Sequence, residues 1–573
     1  MRDRIISAII YTAFTLLTTA LLYIQIIRFP YYHKLARNNV IRIIPIDGPR
    51  GNMFDTKGIA LVSNRLSFDV AVVYQELQDT ENLIKVLTET LGVASKDILK
   101  SIELARRKPY APVTIIEDVD KEKALMLEEA SLDIRGLVIE TRSKRNYIYQ
   151  DMASHVFGYL SEISEYELEK MRGYGYRMRD LIGKDGLEKI YDRYLAGVDG
   201  GLQIEVDSKG RLVKTLGLKE PSSGKDLYLT IDLSLQAVSD KLLGERKGAV
   251  IVMNPQNGAV LALASHPAFD PNIFVKPDTS RERMMLVSDR KGRPLFNRAI
   301  SGMYPPGSVF KITVASAALS TKRVTPNTRF NCTGSYNLGG VKFDCWKDTG
   351  HGSQNITEGL MNSCNVFFYN TGKATGVDNI ETYTRVFGFG AHTGVDLPDE
   401  AKGVVPGKLW KRLHKHDNWY EGDTLNYSIG QGYLLVTPIQ IVEMTSVIAN
   451  GGNIVTPHLV KKIGTDDMEV PEPSNIGLRN EAIQTVREGL YKVVNSDEGT
   501  GKHVRVEGLS IAGKTGTAQN PQGRTHAWFT GFAPFNVPKI SLVVFLEHGG
   551  KGGLEPAEIA KGIFQEAKNR GYL

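Results

Sequence analysis

The longest uninterrupted apolar stretch lies at the start of the chain. From Ile5 to Ile27, IISAIIYTAFTLLTTALLYIQII runs 23 residues without a charge, long enough to cross a bilayer as a helix. The run continues past Thr18-Thr19-Ala20, a small-residue triplet of the kind that precedes cleavage, so the pattern predicts an uncleaved anchor rather than a removed leader. Shorter periods follow. RIIPIDGPRGNMFDTKGIALVSN reads as extended segments broken by Gly and Pro turns, and FDVAVVY alternates as a strand. ENLIKVLTETLG and DKEKALMLEEA carry the helical period, LTIDLSLQAVSDKLLG passes from strand to helix, and KEPSSGKD (219–226) reads as a linker.

Beyond the linker, GAVIVMNPQNGAVLALAS is a hairpin: two apolar, β-branched runs around an Asn-Pro-Gln-Asn-Gly turn. THAWFTGFAPFNVPKISLVVFLEHG supplies two more strands, and residues 305–450 between these regions are richer in helical signals. Strands at both ends with helices between predict an α+β domain built on one antiparallel sheet covered by helices. The expected segments are 1–27 (a short tail and transmembrane anchor), 28–235, and 245–573.

A chain of 573 residues is too long for a single core. Hydrophobic content of 42% and charged content of 23% are ordinary for globular protein. The net charge of +6 is mild and dispersed, which gives no case for nucleic-acid binding. Charge also leaves the orientation of the anchor open. Arg2 and Arg4 precede the apolar run, whereas Arg28, Lys34, Arg37 and Arg42 follow it. The basic clusters RSKR (142–145) and KRLHKH (411–416) read as solvated faces or loops.

Three short motifs carry the chemistry. In YPPGSVFKI, two prolines and a glycine break the chain before an apolar helical run, placing Ser308 near a helix N-terminus with Lys311 one turn on, on the same face. A serine hydroxyl needs a neighbouring base, and a buried lysine pushed towards its neutral form can serve. Ser363 and Asn365 form an S-x-N triplet, and AGKTGTA supplies Lys514, Thr515, Gly516 and Thr517, with a glycine where substrate backbone could approach a strand. Any one of these is weak; a helix cap plus a surface lysine accounts for most S-x-x-K sequences. Together they stand in the order S-x-x-K, S-x-N, K-T-G, with 51 and 148 residues between them. That is the motif set of serine enzymes that bind penicillin.

On these motifs the C-terminal half resembles a penicillin-binding transpeptidase domain. Further stretches, GPRGNMFDTKGIALVSN, SHVFGYL, LIGKDGLEKIYDRYLAGVDG and SIGQGYLLVTPIQ, extend the likeness over nearly the whole chain to the class B penicillin-binding proteins. Within that class the sequence is most similar to the penicillin-binding protein 2 branch, which cross-links peptidoglycan during cell elongation; the division-specific branch shares many of these marks. The resemblance implies acyl transfer from a stem peptide to Ser308, with Lys311 taking the serine proton, Ser363 relaying a proton, and Asn365 binding the peptide amide. It further implies that Lys514, Thr515 and Thr517 hold the terminal carboxylate, that the Ser308 and Thr517 amides form the oxyanion hole, and that β-lactams inhibit. The substrate lies outside the bacterial cytoplasmic membrane, which implies a single-pass protein with its catalytic domain outside. Residues 28–235 resemble the pedestal or dimerisation domain, so a dimer stays open. No glycosyltransferase module is recognisable before residue 245, which implies a membrane glycan polymerase and elongation-machinery proteins as partners. A β-lactam hydrolase or sensor, and an idle wall-synthesis scaffold, are the alternatives.

The chain has three cysteines, Cys332, Cys345 and Cys364, and with His351 they form C-x12-C-x5-H-x12-C. Three thiolates and an imidazole make a complete tetrahedral zinc set. A disulfide would leave one cysteine over, and three small buried thiols are the other alternative. Resemblance favours metal, because some penicillin-binding protein 2 members hold one beside this motif. There an acidic ligand is usual where this chain has cysteine, and Asp344, next to Cys345, is a competing ligand. The expectation is a closed structural zinc site that pins Ser363 and Asn365.

Overall fold

The computed structural model describes residues 2–32, 41–107, 109, 112–178, 180–207, 212–277, 279–520 and 523–573. Lys34 and Arg37, counted in the charge balance around the apolar run, lie outside the described residues. Helix α1 (Arg2–Leu22) continues through a wider turn at Tyr23–Ile27. Within Arg2–Ile27 an 18-residue window reaches a mean hydropathy of 2.0, and none of that window is buried. The hydroxyls of Thr12, Thr15, Thr18 and Thr19 each donate to the carbonyl four residues back at 2.7–2.8 Å. The helix therefore satisfies its own polar groups, as a membrane span must.

The chain forms two compact units that interleave in sequence. The first comprises residues 1–50, 64–144 and 196–224. In it, Ile41–Ile46, Gly200–Val206 and Leu212–Lys219 form a three-stranded antiparallel sheet with the middle segment central. A second set of strands packs against the helices Thr80–Leu91 and Ser95–Ala105, burying Val70, Val72, Leu83, Leu87, Ile98 and Ile102. Thr80–Leu91 begins at Asp79, whose carboxylate accepts from the Asn82 amide, and ends at left-handed Gly92, the ordinary start and stop signals of a helix.

The second unit comprises residues 51–63, 145–195 and 225–573. Helix α2 (Leu233–Leu243), capped by Asp232, leads into strand β1 (Gly248–Met253) and β2 (Val260–His266). Then come α3 (Lys311–Ser320), α4 (Ile356–Met361), α5 (Asn365–Thr375), α6 (Lys408–Lys415), α7 (Glu421–Ser428) and α8 (Pro438–Ala449). Strands β3 (Ala512–Asn520), β4 (Gly523–Ala533) and β5 (Ile540–Leu546) complete an antiparallel sheet in the order β2-β1-β5-β4-β3. Helix α9 (Glu555–Asn569) returns beside α2.

Both faces of this sheet are buried, which explains why its strands read as continuous apolar runs. Ala249, Ile251 and Met253 pack into the larger core, with Phe310 and Ile441. Val250 and Val252 point the other way, towards Ile563 and Phe564 of α9. The sheet ends at β3, so the strand that carries Lys514-Thr515-Gly516-Thr517 is an edge strand.

The basic clusters depart from expectation. Arg145 of RSKR is 4% exposed; it donates to the Glu188 carboxylate at 2.7 Å and to the Gly51 carbonyl at 2.6 Å. Lys411 of KRLHKH is 2% exposed and pairs with Asp423 at 2.7 Å and Asp417 at 3.1 Å. In each cluster one cation is buried and paired while others remain solvated, because an acidic partner supplies what water otherwise would.

Candidate active site

A tight turn at Gly307–Phe310 precedes α3, with Ser308 inside it and Lys311 opening the helix. Gly307 has φ +55°, and a Cβ there would stand 2.6 Å from the Thr517 carbonyl oxygen. Only glycine lets the serine turn sit this close to the edge strand. At Gly516 a Cβ would meet Val309 at 2.9 Å and the Pro306 carbonyl at 3.1 Å, so the glycine admits the serine loop against the edge strand. The Trp528 indole donates to the Pro305 carbonyl at 3.1 Å, and Phe310 stacks on Tyr427 at 5.3 Å; both hold the turn from below.

Ser363 occupies the junction of α4 and α5 with φ +49°, a conformation that non-glycine residues adopt at a cost. Two fully buried lysines meet on it. Lys514 donates to the Ser363 hydroxyl at 2.9 Å and to the Thr515 carbonyl at 3.0 Å. Lys311 donates to the Ser363 carbonyl at 2.8 Å, to Asn365 Oδ1 at 2.7 Å and to the Ser363 hydroxyl at 3.4 Å. Among the described residues neither lysine has a carboxylate partner, and the Ser308 hydroxyl makes no hydrogen bond. Burial lowers the Lys311 pKa to about 8. Burial, with the neighbouring Lys311 charge, pushes Lys514 well below the usual lysine range. Such a pocket holds an excess of positive charge and favours an arriving anion.

The remaining motif residues line the same place. Thr515 is buried and donates to Thr500 Oγ1 at 3.0 Å. Thr517 is exposed, and its hydroxyl accepts from the Gly552 amide at 3.3 Å. Thr500, which also donates to the Met361 carbonyl at 3.4 Å, was not foreseen from the sequence, and its Gly-Thr-Gly context carries no distinctive signal.

Cys332, Cys345, His351 and Cys364 come together beside Ser363, their ligand atoms all within 4.8 Å of one another. Two small hairpins build the cluster: Phe330–Cys332 pairs with Gly352–Gln354, and Ser335–Leu338 pairs with Val341–Asp344. All three cysteines are free and buried. His351 Nδ1 stands 3.6 Å from Cys332 Sγ and 3.5 Å from Cys345 Sγ. Tetrahedral zinc, with Zn–S of about 2.3 Å and Zn–N of about 2.0–2.1 Å, requires S···N edges of about 3.6 Å. The donor set and its spacing fit that ion. Asp344 is no competitor, since its carboxylate is exposed and paired with Lys342 at 2.9 Å. Cys364 also caps α5, its sulfur accepting from the Phe367 amide at 3.4 Å. Asn365 Nδ2 donates to the Asp344 carbonyl at 3.3 Å, and the Trp346 indole donates to the Asn362 carbonyl at 2.9 Å.

Known proteins share this architecture. The family model described as "Penicillin binding protein transpeptidase domain" matches residues 248–565, and the one described as "Penicillin-binding Protein dimerisation domain" matches residues 45–229. The peptidoglycan D,D-transpeptidase MrdA of Salmonella typhimurium is 34% identical, over 97% of this chain and 94% of the relative. Penicillin-binding protein 2 of Helicobacter pylori, solved in a complex with MreC, superposes with a TM-score of 0.82 at 30% identity, over 93% of this chain and 99% of that one. A structure titled "Structural coordination of polymerization and crosslinking by a peptidoglycan synthase complex" matches with a TM-score of 0.78 at 30% identity, over 99% and 98%. With both family models matched and a relative 34% identical over nearly its full length, the chain belongs to the class B penicillin-binding transpeptidases, in the penicillin-binding protein 2 branch.

Proposed function

We propose that this peptidoglycan D,D-transpeptidase works through an acyl-enzyme on Ser308. The observation that carries the proposal is the Ser363 hydroxyl, 2.9 Å from one buried lysine amine and 3.4 Å from a second, beside the turn that presents Ser308. Lys311, lowered to about 8, takes the Ser308 proton as Oγ attacks the carbonyl of the penultimate D-alanine. The Ser308 and Thr517 amides receive the oxyanion. The carbon–nitrogen bond to the terminal D-alanine breaks, and Ser363 passes a proton to the departing amine. A neighbouring stem's amine then attacks the ester. The carbon–oxygen bond to Ser308 breaks, an amide forms, and the amine's proton returns to Ser308 Oγ.

Lys514, Thr515 and Thr517 hold the terminal carboxylate, and Asn365 orients the peptide amide. An anion beside Lys514 favours its ammonium form, and that charge drives Lys311 towards the neutral base. Binding of the correct substrate thus primes the nucleophile's partner.

Cys332, Cys345, His351 and Cys364 would hold zinc as a structural ion. Its tetrahedral bonding would tie the 332–351 hairpins to the residue between Ser363 and Asn365, and four protein ligands leave no position for a reacting water. The Arg2–Ile27 helix is a single-pass anchor in the bacterial cytoplasmic membrane with the catalytic domain outside. The relatives solved with MreC and within a synthase complex support a role in elongation beside a membrane glycan polymerase.

The test is incubation with benzylpenicillin, followed by intact mass and peptide mapping. One long-lived adduct on Ser308, absent in Ser308→Ala, is the expected result. Folded protein without an adduct would overturn it.

A further inference from the structure

The segment that carries Cys345 also borders the catalytic loop, and one of its side chains belongs neither to the thiol cluster nor to the lysine pocket. The Asp344 carbonyl accepts from Asn365 Nδ2 at 3.3 Å and from the Tyr369 hydroxyl at 3.2 Å. Two residues on, the Trp346 indole donates to the Asn362 carbonyl at 2.9 Å. Residues 344–346 are thus tied at both ends to the stretch Asn362–Asn365, within which Ser363 meets the two lysines. Two residues of chain span at most about 7 Å, so Trp346 stands close to the Asn365 amide.

Trp346 is nonetheless 58% exposed. Its ring is fixed by that hydrogen bond and by the His351 imidazole, which meets it edge to face with centroids 5.1 Å apart. A large ring held in one orientation has little freedom left to lose when a ligand covers it. The site also has a direction. The donor's terminal carboxylate lies at Lys514, Thr515 and Thr517, its scissile carbonyl at Ser308, and the preceding amide at Asn365. The residue on the far side of that amide then lies past Asn365, where residues 344–346 form the border.

We propose that Trp346 is a specificity-determining contact for the donor stem, its exposed face receiving the side chain of the residue before the two D-alanines. The assignment rests on the acyl-enzyme reading above, which sets the direction of the donor. The amine that attacks from a neighbouring stem belongs to a residue of this kind, with a long aliphatic chain ending in an amine. An indole suits such a chain in two ways. The methylenes pack on the ring, and the ammonium is attracted to its π-face.

The experiment uses the full chain in detergent and two peptidyl-D-alanine thioester donors that differ only in the residue before D-alanine, lysine in one and alanine in the other. The second-order acylation constant is read by intact mass. In the wild type the lysine donor should react about tenfold faster. Trp346→Ala should reduce that preference to within about twofold, whereas Trp346→Phe, which keeps a ring, should hold about fourfold. Both donors offer the same amide to Asn365, so a tryptophan that merely braces the loop would slow them alike and leave the preference intact. A preference that survives Trp346→Ala would overturn the assignment. So would a wild type that shows none, a comparison that depends on no variant's folding. Failure of the wild type to acylate with either donor would instead count against the Ser308 reading.

Discussion

Ser363 and Cys364 are neighbours in the chain and opposites in environment. The serine hydroxyl faces two buried lysine amines contributed by α3 and β3, elements 203 residues apart at Lys311 and Lys514. The cysteine sulfur faces two thiols and an imidazole drawn from one stretch between Cys332 and Cys364. The lysine pocket is an electrostatically unsatisfied arrangement, built to change protonation. The thiol cluster satisfies itself once a cation enters, and it is built to stay still. Placing them on adjacent residues lets the second fix the geometry of the first, and catalysis by positioned groups is sensitive to displacements of an ångström.

The largest expected effect separates the two regions. Lys311→Met keeps the volume of the buried chain but removes the base. Acylation by benzylpenicillin should fall roughly 10²–10⁴-fold, while zinc measured by atomic emission stays unchanged. Parallel loss of metal would mean that the regions form one cooperative unit.

The next effect crosses the boundary from the other side. Cys364→Ser should release zinc, lower the melting temperature and slow acylation by about tenfold, although Cys364 touches no substrate. Cys345→Asp, which puts a carboxylate oxygen in place of one thiolate, should retain the metal. Full acylation by a zinc-free Cys364→Ser protein would break the coupling.

A smaller effect tests the lysine pocket without mutation. Burial favours the neutral form of Lys311, and that form accepts the Ser308 proton. The acylation rate should therefore rise about tenfold per pH unit below the Lys311 pKa of about 8 and level off above it. A rate falling with pH over the same range would assign the base elsewhere. The smallest effect lies at the rim. Trp346→Phe removes the indole bond to the Asn362 carbonyl and should cost about 0.5–1.5 kcal/mol of stability, read by urea denaturation, with acylation changed less than threefold.

What was legible in the sequence follows the range of the interactions. The sheet strands were readable because burial on both faces makes them long apolar runs, and the three motifs because their residue types and order are specific. The hairpins over 330–354 were not. They are three to four residues deep per strand and largely exposed, so they carry no period. The buried members of the basic clusters were equally hidden. Nothing local tells Arg145 from Arg142 until Glu188 is brought to it across 43 residues, and Lys411 looks like Arg412 until Asp423 folds back. The packing of Gly516 was hidden for the same reason, since its neighbour is the serine loop some 200 residues upstream. The cysteine set was visible as a set, and only the hairpins show that Asp344 turns away from it.

A transpeptidase forms one covalent intermediate at Ser308 and passes its acyl group to an amine. The most direct test forms that intermediate with a peptidyl-D-alanine thioester in a single turnover, then chases it with a stem-peptide amine in buffered water. The acyl-enzyme mass should disappear faster as amine is added, and the product should be the cross-linked amide. Decay at a rate independent of amine, yielding only the hydrolysed acid, would contradict it and make this site a hydrolase.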